Sequence, residues 1–150
     1  MRIGVLGPVV AWHDNGTEAD LGGPKARTLL ALLATTPGAT VPTPRLLEGL
    51  YGTRPPDGAP NALQSLISRL RRALGPDLVT HDPPGYCLTL PADRIDAHRA
   101  AALLTTARDT PDPAQAHPLL TEALTLWRGD PPPELGPHWA ELRLATTEAH

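Results

Sequence analysis

Residues 61–74 read NALQSLISRLRRAL, a stretch with three arginines and no acid in a chain whose formal net charge is −3. At about 100° per residue, Leu63, Leu66, Ile67, Leu70 and Leu74 fall on one stripe of a helix. That stripe must face a core. Asn61, Ser65, Ser68 and Arg72 lie opposite it, Gln64 and Arg71 on one flank and Arg69 on the other. Small hydroxyls in the middle of a polar face let a helix approach another surface closely. Arg, Asn and Gln around them carry the planar forks that bond base edges and phosphates. A polar outward face is also the default for any surface helix, so the reading depends on what surrounds it.

Upstream, Ile3 to Leu21 favours short strands. The Asp14-Asn15-Gly16 segment holds the Asn-Gly pair that suits a tight turn. Gly22-Gly23-Pro24 breaks the pattern, and Pro24 opens a helix whose leucines at 29, 30, 32 and 33 give it an apolar body. Lys25 and Arg27 fall in its first turn, where free backbone N–H groups and positive charge suit a phosphate. A second helix is expected from Thr43, as N-cap, to a stop at Gly52. Residues 53–60 form a Pro/Gly loop, and the quoted helix follows, closed by Gly75-Pro76. Leu78–Thr80 and Tyr86–Leu90 then predict a hairpin turning through His81–Gly85. Three helices followed by a hairpin is the order of a winged helix, whose third helix enters the major groove while the hairpin lies along the backbone.

From about Pro91 the pattern becomes wholly helical. Residues 96–109, about 119–128 and 138–150 are candidates, with Pro118 expected to delay or kink the middle one. Charge changes at the same place. Residues 1–90 carry eight Lys/Arg against seven Asp/Glu, and residues 91–150 five against nine. The expected division is a front unit, 1–92, and a helical back unit, 93–150. The front unit is expected to hold a core of its own.

The successive segments LGGPKARTLLALLATTPGATV, LLEGLYG, PPDGAPNALQSLISRLRRALG, PPGYCLTL, IDAHR and ALTLWRG resemble the signature segments of the actinobacterial antibiotic regulatory proteins, the SARP family. The resemblance spans nearly the whole chain in one order. It implies an α+β fold: an OmpR-type winged helix followed by an incomplete all-helical, TPR-like bacterial transcriptional activation domain. The winged helix would comprise a four-stranded amino-terminal antiparallel sheet, three helices and a β-hairpin wing. It further implies a transcriptional activator of biosynthetic genes that binds double-stranded DNA at direct repeats, as a dimer or tandem protomers, and contacts RNA polymerase holoenzyme. On this mapping the groove-reading helix is Asn61–Leu74, with Asn61, Gln64, Ser65, Ser68, Arg69, Arg71 and Arg72 as its DNA-facing residues. Lys25 and Arg27 meet the DNA backbone, and His81, Gly85 and Tyr86 belong to the wing. The Leu-Trp-Arg-Gly signature falls on Leu126–Gly129. Two positions depart from the pattern: Tyr51 stands where tryptophan is usual, and Cys87 where arginine is common.

Other chemistries find little support. Cys87 is the only cysteine, which excludes an intrachain disulfide and a cysteine-based zinc site. The six histidines include no H-E-x-x-H pattern, and no G-x-x-x-x-G-K-[ST] loop occurs. His81, Asp82 and Cys87 read as a turn beside a strand. Asp96 and His98, two residues apart, point to different sides of a helix. Trp127 and Trp139 read as packing anchors. No cofactor, metal or catalytic group is expected. No apolar run reaches the roughly 18 residues of a membrane span. The opening MRIGVLGPVVAW, broken by Gly4, Gly7 and Pro8, reads as a strand rather than a signal peptide. The expected setting is cytoplasmic, at the nucleoid. The alternative reading is a non-enzymatic interaction module whose arginine face meets an acidic protein partner.

Overall fold

The chain begins with a short hairpin. Arg2–Gly4 (β1) pairs antiparallel with Val10–Trp12 (β2), Ile3 opposite Ala11. These elements come from a computed structural model that describes residues 1–150, the side chain of Glu134 excepted. Beyond β2 the chain turns at Asn15-Gly16, where the Asn15 side-chain oxygen accepts from the Thr17 N–H and hydroxyl at 3.0 and 2.7 Å. The turn brings Glu18 opposite Trp12 as a single bridge, and Ile3 makes another, parallel, to Ile95. The four-stranded amino-terminal sheet is therefore two regular strands with single-residue bridges at its edges. Gly7, at φ +139°, and Pro8, which has no N–H to donate, end β1's ladder before it can lengthen.

Pro24–Ala34 forms the first helix (α1) with proline at its first position. Thr40–Pro42 is a third strand (β3) that the pattern did not announce. Three residues with one apolar centre carry no period, and the strand exists because it pairs with a distant one. Thr43–Tyr51 (α2) follows. Thr43 is its first residue rather than its cap: its hydroxyl donates to the Pro84 carbonyl at 3.1 Å, tying the helix start to the wing. Ala59–Leu74 (α3) is the basic helix. It starts two residues earlier than the quoted stretch, because Pro60 is tolerated in a first turn, where the N–H is unused.

Val79–Asp82 (β4) and Gly85–Leu88 (β5) form the hairpin, and β3 joins it to give a sheet of order β3-β5-β4. Both strands sit closer to the turn than expected, leaving only Pro83-Pro84, joined by a cis peptide, between them. Gly85 lies opposite Pro42. A Cβ there would sit 1.9 Å from the Val41 carbonyl oxygen, so no other residue allows β3 to come so close.

The back unit is Asp96–Arg108 (α4), Pro113–Thr125 (α5) and His138–Ala149 (α6). Pro118 neither delays nor stops α5. Asp112 caps the helix from outside, its carboxylate accepting from the Ala114 N–H at 3.0 Å. Leu120 and Ala123 are buried on α5, Leu120 against Leu104 and Ala107 of α4. That packing outweighs the one backbone bond that proline removes.

The main apolar cluster does not stop at residue 92. Ile95, Ala97, Ala100, Trp127 and Trp139 belong to the same buried cluster as Ile3, Leu6, Leu30, Leu70 and Leu88. The expectation of a separate core for the front unit is thus corrected: β1 covers α4, and the two units close one interior.

Candidate nucleic-acid interface

The interface is built on the leucine stripe of α3. Leu63, Leu66, Ile67, Leu70 and Leu74 are all buried, Leu70 completely. Five buried side chains along one helix fix its rotation about its axis. The opposite face is fixed with it. Asn61, Gln64, Ser65, Ser68, Arg69 and Arg72 are exposed, and none of the three α3 arginines forms an ion pair among the described residues. The last turn carries Arg71 and Arg72, where positive charge complements the helix carbonyl end. Gly75, at φ +103°, then ends the helix in a conformation that suits glycine.

Arg71 stands apart from the other two. It is half-buried, and its Nε–H donates to the Val79 carbonyl at 2.9 Å. That bond ties the end of α3 to β4.

The two α1 cations are placed differently from a bare phosphate clamp. Lys25 donates to the Leu50 carbonyl at the end of α2 and lies 4.7 Å from the Tyr51 ring centroid. Arg27 donates through a guanidinium N–H to the Val9 carbonyl at 2.9 Å. Both side chains remain exposed along part of their length, but each head already has an internal acceptor.

In the wing, His81 is exposed and Tyr86 half-buried against the core, their rings 5.1 Å apart. Gly85 is structural, for the steric reason given above. Cys87 is 7% exposed and lies between Thr40 and Thr80 on the central strand. An arginine there starts from a covered position, so Cys87→Arg is not expected to add a backbone contact.

One neighbour of α3 escaped the sequence reading. His13, Asp20, Gly22, Arg69 and Arg72 line a shared cleft of about 540 Å³. Gly22 has φ +84°, and a Cβ on it would lie 2.9 Å from Cδ of Arg69. Asp20 shapes this turn by accepting from the Gly22 N–H at 3.1 Å. The only signal in the sequence was the Gly-Gly-Pro break, which reads as punctuation until α3 is seen beside it.

Residues 16–88 match the family described as "Transcriptional regulatory protein, C terminal". The chain is 39% identical over 134 residues to the regulatory protein AfsR of Streptomyces coelicolor, covering 87% of this chain and 13% of that one. It is 33% identical over 144 residues to the regulatory protein DnrI of Streptomyces peucetius, covering 87% and 53%. The structure of Mycobacterium tuberculosis EmbR in complex with a low-affinity phosphopeptide superposes with a TM-score of 0.88 at 30% identity, over 99% of this chain and 43% of that one. The chain belongs to the SARP family. It spans from 13% to 53% of the length of these curated relatives.

Membership gives the Leu126–Gly129 signature a physical meaning. In this SARP-family chain Trp127 is buried. The Arg128 N–H donates to the Leu6 carbonyl at 2.7 Å, and the Arg128 guanidinium to the Pro8 carbonyl at 2.9 Å. The same guanidinium lies 5.4 Å from the Trp12 ring centroid and 3.9 Å from the Asp96 carboxylate. Gly7 packs against Arg128 and the Gly129 N, where a Cβ would come within 3.0 Å of that nitrogen. The signature is a latch between the helical unit and the amino-terminal hairpin.

Asp96 is the second half of that latch. Its carboxylate accepts from the Val5, Leu6 and Ala97 N–H groups at 2.8, 3.1 and 2.7 Å. Burial raises its pKa above the ordinary carboxylate value, against the opposing pull of those N–H donors and Arg128. His98 turns the other way, its Nε2 2.8 Å from the Ala34 carbonyl and its ring edge-on to Trp139 at 5.5 Å. Both residues, which had suggested no role beyond a helix surface, hold α4 against the winged helix.

Proposed function

We propose that this chain is a sequence-specific DNA-binding transcriptional activator of biosynthetic genes, of the secondary-metabolite or antibiotic kind. It binds direct repeats near promoters as tandem protomers or a dimer, and its helical unit contacts RNA polymerase holoenzyme. The observation that carries the DNA reading is the acid-free outer face of α3, held in one rotation by a buried stripe of leucines and Ile67. Arg72, opposite the stripe, forks onto a base edge in the major groove, and Asn61, Ser65 and Ser68 allow close approach. Arg69, on the flank, meets phosphate, which positions without reading sequence. Arg71 holds the wing so that His81 lies along the adjacent backbone. The relatives named as regulatory proteins support this reading. So does the match of residues 16–88 to the domain of transcriptional regulatory proteins.

The test is selection of bound duplexes by the full chain from a random pool. The expected result is one enriched half-site, repeated in the same orientation at a helical-turn spacing. Recovery of duplexes without any shared motif would replace this reading with an interaction module that uses its arginines on an acidic protein.

A further inference from the structure

A cleft of about 450 Å³ opens where the amino-terminal hairpin meets the helical unit. Its apolar floor includes Ile3 and Leu126, and its wall includes the Trp12 indole. Two guanidiniums lie over that indole, Arg2 at 6.0 Å and Arg128 at 5.4 Å from the ring centroid. Gly4 makes this possible, since a Cβ there would lie 2.6 Å from an Arg128 nitrogen and 2.9 Å from the indole edge. The volume lies within the roughly 300–1,000 Å³ of small-molecule sites.

The charges around the cleft are unevenly matched. Four arginines line it against three acids. Glu122 is paired with Arg99, and Asp96 is committed to three backbone N–H groups and faces Arg128. Arg2 and Arg94 form no ion pair among the described residues. Arg94 feels Asp14 only at longer range, and Asp14 is already bonded to the chain's amino terminus. Asp93 is the single uncommitted acid on the lining, and it is exposed. The result is an aromatic and aliphatic surface with two unmatched guanidiniums at its rim.

We propose that this cleft binds a small organic anion with a flat apolar body and a carboxylate, the body against Trp12 and the carboxylate on Arg2 and Arg94. A guanidinium favours a carboxylate through two parallel N–H donors, and the part of the indole that Arg2 and Arg128 leave uncovered offers apolar contact to a flat body. The lining comes from β1, β2, the Ala92–Arg94 turn, α4, α5 and the Arg128 latch, so an occupant touches both units at once. Binding there adds to the contacts that hold the helical unit on the winged helix, and it stands whether or not α3 reads DNA.

The probe is 1-naphthoate, titrated into the full chain while the indole N–H resonances of the three tryptophans are followed by NMR. Trp12→Phe identifies the Trp12 signal. The expected result is a saturable one-to-one shift of the Trp12 resonance, weakened roughly tenfold by Arg94→Gln or Arg2→Gln. Both arginines are exposed, so each variant should retain the wild-type circular dichroism. The neutral 1-naphthalenemethanol should bind at least tenfold more weakly. A Trp12 signal that does not saturate, or equal binding of the neutral compound, would overturn the proposal. So would unchanged affinity in the double variant Arg2→Gln/Arg94→Gln, and the cleft would then be a solvent-filled seam.

Discussion

Asp96 and Gly22 show how much of this protein turns on single residues whose role lies outside their own segment. Asp96 sits at the start of α4, yet it satisfies the N–H groups of Val5 and Leu6 in the hairpin. Asp96→Ala leaves those two buried donors without a partner, so it should cost roughly 2–6 kcal/mol, at about 1–3 kcal/mol per orphaned group. Denaturant unfolding measures this. The pH dependence has a definite sign. Because its folded pKa is raised, the native state holds a proton that the unfolded chain releases, so this group's contribution to stability declines as pH rises through the window above 3.8. The melting temperature of wild type relative to Asp96→Asn should therefore grow as pH falls from 7 towards 4. Gly22 acts on α3 from the other side of the cleft. Gly22→Ala strains a backbone at φ +84° and pushes against the Arg69 stem. It should weaken binding to specific and random duplexes alike, while costing about 1–2 kcal/mol of stability.

At the level of elements, α3 was legible because two independent patterns, a leucine stripe and an acid-free outer face, agreed on one rotation. Leu70 is fully buried at the centre of that stripe. Leu70→Ala should cost about 2–5 kcal/mol, read as a lowered midpoint in urea, with DNA binding lost only in proportion to unfolding. The elements that were not legible depend on distant partners. β3 is three residues long and exists through its pairing with β5. α5 runs through Pro118 because Asp112 caps it and α4 receives its apolar face. The interface residues divide in the same way. Exposure of Asn61, Gln64, Ser65, Ser68, Arg69 and Arg72 follows from helical spacing. The turning of Arg71 to Val79, of Lys25 to Leu50 and of Arg27 to Val9 does not, since each bond joins residues brought together only by the fold.

Taken whole, the molecule closes one apolar interior across the change of composition near residue 92. Charge and the change to a wholly helical pattern marked a boundary in the sequence, but neither reports on burial. Removing residues 93–150 strips Ile95, Ala97, Ala100, Trp127 and Trp139 from that interior and leaves Val5 and Leu6 without Asp96. A 1–92 fragment should therefore melt well below the full chain, with early loss of hydrogen-exchange protection in β1 and β2. A fragment as stable as the whole would mean that the latch adds nothing. The central claim, that α3 reads DNA from a fixed rotation, is tested most directly by equilibrium binding of wild type, Arg69→Ala and Arg72→Ala to a selected duplex and a scrambled one across a salt series. Loss of Arg72 should cost roughly 1–3 kcal/mol on the selected duplex only, relaxing preference at one base pair. Loss of Arg69 should weaken both duplexes equally and reduce the slope of log affinity against log salt by about one unit. Folded variants that bind the selected duplex as tightly as wild type would contradict the claim.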